Sequence, residues 1–300
     1  MTQDLNADIL RLKREKNALI LAHNYQSSSI HAVSDVIGDS LELALKARDA
    51  EEDLLIVCGV RFMAETAKIL NTEKKVLIPV PDAGCPLADF LTPAQIEEAK
   101  KAFPGAPVVV YVNSTTEVKA VADITCTSGN AVAVVRSLPE RVILFGPDSN
   151  LARFVQQQLP DKEIIPIPKG GHCYVHQSFT REDIRKAREI GGKIIAHPEC
   201  PDDIRRESDF VVSTGKMIHL VQQGEIWHIF TEQGMVNRLK TLFPDKRFYQ
   251  YENAVCKDMR KTTDIDLLSC MEHLTGEIIL DDRLIHAARR SLDRMLAVPG

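Results

Sequence analysis

The sequence contains no run approaching the roughly 20 apolar residues of a membrane span, and its opening, MTQDLNADILRLKREK, lacks the apolar core of a signal peptide. Basic residues are not in excess: 37 Lys and Arg stand against 42 Asp and Glu, a net charge of −5, which argues against nucleic acid as a partner. There is no Walker A loop, no GxGxxG after a strand, no GxSxG elbow and no HExxH pair, so nucleotide-dependent and hydrolytic functions lose their usual support. No CxxC pair and no low-complexity linker occurs either. The expectation is a compact cytoplasmic chain with neither a membrane nor a nucleic-acid partner.

What is present is average globular composition, 44% apolar and 26% charged over 300 residues, about twice a usual domain length. The length resolves through an internal repeat. LILAHNY (19–25), VVVYVNS (108–114) and KIIAHPE (193–199) are aliphatic runs that break into polar residues, as buried parallel strands do at their carboxyl ends. Each follows a helical pattern: Asp4 to Lys16, Pro93 to Phe103 after Thr92, and Arg181 to Ile190 after Thr180. Thr92 and Thr180 suit N-caps and Pro93 a first helical turn.

Further runs end in small residues, namely LLIVCGV (54–60), ADITCTSG (122–129) and DFVVSTG (209–215). RVILFGPDSN (141–150) and IWHIFTEQG (226–234) add another strand to the second and third segments, with no counterpart expected in the first. Each segment closes on a strand and a cysteine-bearing loop: VLIPVPDAGC (76–85), IIPIPKGGHC (164–173) and RFYQYENAVC (247–256). The pattern predicts an α/β protein of three similar αβα three-layer units with parallel sheets. The units are expected over 1–84, 85–172 and 173–256, with a helical tail, 257–300, packing on the first. Ligands of such sheets bind beyond the carboxyl ends of the strands.

Seven cysteines cannot all pair. Cys85, Cys173 and Cys256 recur about every 85 residues, one per unit, which makes them metal-ligand candidates if the units share an axis. Neighbouring glycines (Gly84, Gly170, Gly171) are expected to let backbone approach a bulky inorganic group. Cys58, Cys126 and Cys270 sit in apolar patterns and read as core; Cys200 is a reserve ligand. Three thiolates would leave one iron of a cubane open to substrate, and a zinc ion held by three cysteines and a bound water satisfies the same count.

The polar strand ends supply further chemistry. His23 with Tyr25, and His197 with Glu199, suit proton transfer around a carbonyl or imine. Strand alternation predicts that His197 and Glu199 face the same way, and likewise Tyr111 and Asn113. Ser40, Ser128, Ser213 and Thr214 open helices, where hydroxyls and backbone N–H groups suit phosphate or carboxylate; they are also ordinary caps.

LAHNYQ (21–26), IGDSLELA (37–44), FMAETAKIL (62–70), CPLA (85–88), YVNST (111–115), GHCYVHQ (171–177), HPEC (197–200), STG (213–215) and AVC (254–256) together resemble the quinolinate synthase family, in order and over nearly the whole chain. The resemblance implies a pseudo-threefold arrangement of the units around one [4Fe–4S] cluster held by Cys85, Cys173 and Cys256, with one iron not ligated by protein. It implies condensation of iminoaspartate with dihydroxyacetone phosphate to quinolinate, releasing phosphate and water, in de novo NAD biosynthesis. An aspartate-oxidising enzyme would supply the iminoaspartate. It also implies a pocket lined by His23, Tyr25, Ser40, Tyr111, Asn113, Ser128, His197, Glu199 and Thr214, with Ser213 beside it. Tyr25, His197 and Glu199 are the expected proton carriers, the others substrate-binding. Gly129, Arg61 and Asp89 depart from otherwise matching motifs, and no C-terminal CxxC pair is present. A zinc-dependent lyase or hydrolase using the same cysteines, or a non-enzymatic iron–sulfur redox sensor, is the alternative.

Overall fold

In the computed structural model the described residues are 5–298, so Asp4 and the expected tail's Pro299 and Gly300 lie outside them. They form three four-stranded sheets, and every strand pair is parallel. The first sheet contains β1 (Ala18–His23), β2 (Val36–Gly38), β3 (Leu54–Cys58) and β4 (Lys75–Leu77). The second contains β5 (Val108–Tyr111), β6 (Ile124–Cys126), β7 (Val142–Gly146) and β8 (Glu163–Pro166). The third contains β9 (Lys193–Ala196), β10 (Phe210–Val211), β11 (Ile226–Phe230) and β12 (Arg247–Tyr249). In each, the strand order is second, first, third, fourth.

The first unit is thus equal to the other two, contrary to the expectation that it lacks a strand. β2 is only VIG, too short for a hydrophobic period to show. A shared device identifies it. Asp35, Asp123 and Asp209 stand just before β2, β6 and β10. Each accepts from a backbone N–H of the neighbouring central strand or its start, Ile20, Val108 and Ile194, at 2.7–2.9 Å. Each also returns its own N–H to the same residue's carbonyl at 3.0 Å. A carboxylate that satisfies a strand's orphan donor fixes the register of the adjoining strand.

The helices Leu5–Glu15, Pro93–Ala102 and Arg181–Ile190 precede β1, β5 and β9. Thr92 and Thr180 close capping boxes with Gln95 and Asp183, and Pro93 takes the first helical position. The fully buried β3 packs as a continuous apolar run, as strands covered on both faces do.

By compactness the chain divides into two units. One runs to Cys85 and resumes at Cys256–Ile285; the other holds Pro86–Val255 and the chain from His286. In the first, Ile9 and Leu12 share a core with Ile20 and Ile56 of the sheet and with Leu267 and Met271 of the helix Asp264–His273. The tail expected to pack on the first unit therefore divides. Beyond His286 it lies on the second sheet, where Ser291 Oγ donates to Lys119 O at 2.9 Å and Thr125 Oγ1 donates to Ser291 O at 3.1 Å. The second and third sheets belong to one body because their strand-end loops interlock. Arg205, buried, donates to the carbonyls of Asn150, Pro198 and Cys200 at 3.1, 3.2 and 2.5 Å.

Candidate active site

The cysteine loops share one anchoring scheme. After the third strand of each sheet, a backbone N–H (Arg61, Ser149, Gln233) donates to the carbonyl two residues before the cysteine (Ala83, Gly171, Ala254), at 2.8, 2.8 and 2.9 Å. Cys85, Cys173 and Cys256 are half-buried, whereas Cys58, Cys126, Cys200 and Cys270 are buried. In the first unit two of the loops are tied together: Gly84 N–H donates to Asp258 Oδ1 at 3.2 Å, and Lys261 Nζ to Asp82 O at 2.7 Å.

Of the three glycines beside the cysteines, one is required by the fold itself. A Cβ on Gly171 would stand 1.9 Å from Pro147 O, so glycine is required by the fold's own backbone; Gly170 faces nothing within 4 Å, and Gly84 only ordinary contacts. Cys200, the reserve ligand, turns inward and donates to Phe230 O at 3.4 Å. Burial pushes its thiol well up, as it does those of Cys58 and Cys126, and that of Cys270 to about 12. A thiol that resists ionisation is a poor metal ligand.

The register makes His23 and His197 equivalent strand-end residues and gives Tyr111, not Asn113, as their counterpart in the second unit. Asp35, Asp123 and Asp209 bind Ile20, Val108 and Ile194, and three residues further on stand His23, Tyr111 and His197; the pairs Ala22 with Cys58, Val110 with Gly146 and Ala196 with Phe230 lie one residue before them in the same register. Five residues beyond Asp35, Asp123 and Asp209 stand Ser40, Ser128 and Thr214, one hydroxyl per unit, with Ser213 directly before the third. Ser40 opens the helix Ser40–Arg48, which Asp39 caps; Ser213 is the N-cap of Thr214–Leu220 without spending its side chain on the cap.

β5 ends at Tyr111, so Asn113 lies in the following loop rather than on the strand. Its buried Oδ1 has no protein partner, an acceptor left for something polar. Likewise β9 ends at Ala196. The chain turns there, with Cys200 N–H bonded to His197 O at 3.0 Å, and this turn rather than an extended strand brings His197 Nδ1 within 4.0 Å of Glu199 Oε2.

His23 and His197 share a local geometry. Nδ1 accepts the backbone N–H two residues on, from Tyr25 at 3.2 Å and from Glu199 at 3.4 Å. The network assigns the remaining proton to Nε2 in both rings. His197 Nε2 meets Ser128 Oγ at 3.1 Å. The Tyr25 ring packs edge-on to His23 at 4.5 Å. Gly129 lies against Ser213, whose Oγ would be 3.4 Å from an added Cβ, so a small side chain fits there.

Glu199, only 2% exposed, accepts from Tyr111 OH on Oε1 at 2.5 Å and meets His176 Nδ1 with Oε2 at 2.7 Å. Burial opposes its charge, but His176 and the Tyr111 hydroxyl prevail and hold the carboxyl at about 2. Asp148, fully buried, is pushed well above the usual carboxylate range by burial and by the Glu199 charge, against the N–H groups of Leu151 and Cys173 that it accepts. Asp148, His176, Asn150 and Arg205 were not anticipated from sequence; His176 stood in the quoted GHCYVHQ without a role. Cys173, His176 and Glu199 bring ligand-type atoms within 4.8 Å of one another.

An ionised carboxylate kept from water, beside two imidazoles and a phenol, is the equipment of an enzyme that moves protons on a small polar substrate. A family model described as Quinolinate synthetase A protein matches residues 7–297. Proteins named quinolinate synthase are similar over 98–99% of this chain: that of Pyrococcus furiosus is 47% identical and covered over 98% of its length, that of Thermotoga maritima 45% and 99%, and that of Methanocaldococcus jannaschii 43% and 100%. The chain belongs to the quinolinate synthase family. No helix among the described residues is long and apolar enough to cross a membrane.

Proposed function

We propose that the chain condenses iminoaspartate with dihydroxyacetone phosphate to quinolinate, releasing phosphate and water, for NAD biosynthesis in the reducing cytoplasm. Family membership supports the reaction, and the carrying observation is the buried Glu199 held by Tyr111 and His176. The overall change needs no oxidant: one carbon–carbon bond and one carbon–nitrogen double bond form while one phosphate and two waters leave.

Cys85, Cys173 and Cys256 would hold a [4Fe–4S] cluster, and the donor set fits it. These are the half-buried thiols on matched loops, while the other four are spent in the core. When bound, the cluster supplies a Lewis-acidic iron not ligated by protein, which favours loss of hydroxyl.

Iminoaspartate carries two carboxylates and its partner a phosphate, so the site needs donors. The Nε2–H groups of His23 and His197 and the hydroxyls of Ser40, Ser128, Ser213 and Thr214 supply them. Asn113 Oδ1 is the acceptor for a substrate N–H or O–H. Tyr111 lies one hydrogen bond from an ionised carboxylate, so a proton leaving substrate carbon or nitrogen has a route through the phenol to Glu199. Tyr25 and His197 are the donors for the hydroxyls that depart. An aspartate-oxidising enzyme is the class of partner that supplies the imine.

Glu199→Gln and Tyr111→Phe test the assignment. Glu199→Gln should lower kcat on the order of 100-fold with iron content unchanged, and Tyr111→Phe should follow in the same direction. Full activity of Glu199→Gln would remove Glu199 from the chemistry.

A further inference from the structure

We propose that Lys216 is a substrate-binding residue at the rim of the site, a cation that holds an oxyanion group of the substrate, carboxylate or phosphate, from the solvent side; the inference rests on the reaction proposed above. Lys216 is the third residue of the helix Thr214–Leu220 and is exposed. Its ammonium reaches the loop after β6, with Nζ 3.5 Å from Gly129 O. Among the described residues no carboxylate pairs with it.

The residues between Lys216 and Glu199 grade from open to buried. Gly129 and its neighbour Ser128 are half-buried. Ser213 Oγ faces Gly129 and would stand 3.4 Å from a Cβ added there. Ser128 Oγ meets His197 Nε2 at 3.1 Å, and His197 Nδ1 lies 4.0 Å from Glu199 Oε2. His197 and Glu199 are buried. From solvent inward the order is therefore ammonium, hydroxyls, imidazole and carboxylate.

That order answers an electrostatic problem. The deep end holds an ionised carboxylate, and both substrates are anions, so a compensating positive charge is needed. The buried cation of the same body, Arg205, does not supply it: Nη1 is spent on three backbone carbonyls and Nη2 on Asp202. Lys216 can, and at the surface its charge carries no burial cost. A cation at the mouth of a cleft also raises the local concentration of anionic substrate. A purely structural role explains Lys216 poorly. One carbonyl at 3.5 Å is at the limit of a hydrogen bond. The loop is already closed from within, because Asn130 Oδ1 accepts from Thr127 N–H at 2.7 Å and from Thr127 Oγ1 at 3.2 Å.

The test measures KM for dihydroxyacetone phosphate and for iminoaspartate separately, each with the other saturating, on anaerobically purified holoprotein with iron counted. Lys216→Gln should raise KM for the substrate whose oxyanion Lys216 holds about 3- to 10-fold, with kcat within about 2-fold and iron unchanged. Which KM rises identifies the group as phosphate or carboxylate. Lys216→Arg should keep KM near the parent value. Between about 0.02 and 0.2 M salt the screening length shrinks from about 20 to about 7 Å, so the same KM should climb more steeply in the parent than in Lys216→Gln. Lys240→Gln removes an equal charge from the last turn of the helix Gln233–Leu242 and should behave as the parent.

Both KM values unchanged in Lys216→Gln would overturn the proposal, as would an equal rise in Lys240→Gln, which would report net charge alone. A fall in kcat at constant KM would overturn it too, since it would place Lys216 outside substrate binding. A parent that is iron-loaded and forms no quinolinate fails the proposed reaction first and this inference with it.

Discussion

Replacing Gly171 by alanine should dislodge Cys173. The added Cβ would stand 1.9 Å from the carbonyl oxygen of Pro147 and 3.0 Å from its carbon. Carbon and oxygen tolerate each other at about 3.3 Å, so the loop must retreat by about 1.4 Å. Retreat strains the bonds that Ser149 N–H and Oγ–H donate to Gly171 O at 2.8 and 2.7 Å, each worth about 1 kcal/mol net. Overpacking adds about 1–3 kcal/mol, for a total of about 3–5 kcal/mol. Cys173 lies two residues further on, its N–H on Asp148 at 3.2 Å, and metal–ligand distances tolerate only about 0.2 Å. Iron per chain after anaerobic purification should therefore fall together with the urea midpoint. Gly170→Ala, one residue earlier and facing nothing within 4 Å, is the internal control and should keep both. A Gly171→Ala protein with parental iron content and parental midpoint would refute the reasoning.

The cysteines should sort by burial: serine at Cys85, Cys173 or Cys256 should cost iron and activity, whereas alanine at Cys58 or Cys126 should leave iron in place and cost stability by about 1–2 kcal/mol through the cavity, read by urea titration with iron analysis. Glu199 predicts an acid limb. Its carboxyl is held at about 2, below its ordinary value, so its contribution is present above about pH 4.5 and fades as pH falls toward 2. At full strength it amounts to about 3 kcal/mol. Asp148, shifted upward, has the opposite sign; the part of its shift that burial causes remains in both proteins, and the part that the Glu199 charge causes is lost in Glu199→Gln. The urea midpoint of Glu199→Gln should accordingly depend less on pH than that of the parent between about pH 5 and 3, and equal slopes would show that the carboxylate is not held ionised.

The repeated αβα architecture was legible because buried parallel strands announce themselves as aliphatic runs with polar ends, and the capping pairs Thr92 with Gln95 and Thr180 with Asp183 lie within one turn. β2 escaped because three residues carry no period. Its signal was the aspartate: SDVIG, ADITC and SDFVV align once Asp35, Asp123 and Asp209 are seen to bind the same point of the adjoining strand. The local sequence also concealed how side chains reach one another. Proline at 198 permits a turn, and that turn, not alternation along a strand, joins His197 to Glu199. His176, Asp148 and Thr231 depend on partners from other sheet elements, which no local pattern encodes. His176 did stand three residues after a candidate ligand, on what proved to be a single helical turn, which was the available hint.

The most direct measurement is quinolinate formed from iminoaspartate and dihydroxyacetone phosphate by protein purified without oxygen, with iron counted on the same sample. The account predicts about four irons per chain and quinolinate appearing in step with released phosphate. A colourless, iron-free protein with full activity, or a fully iron-loaded one that forms no quinolinate, would contradict it.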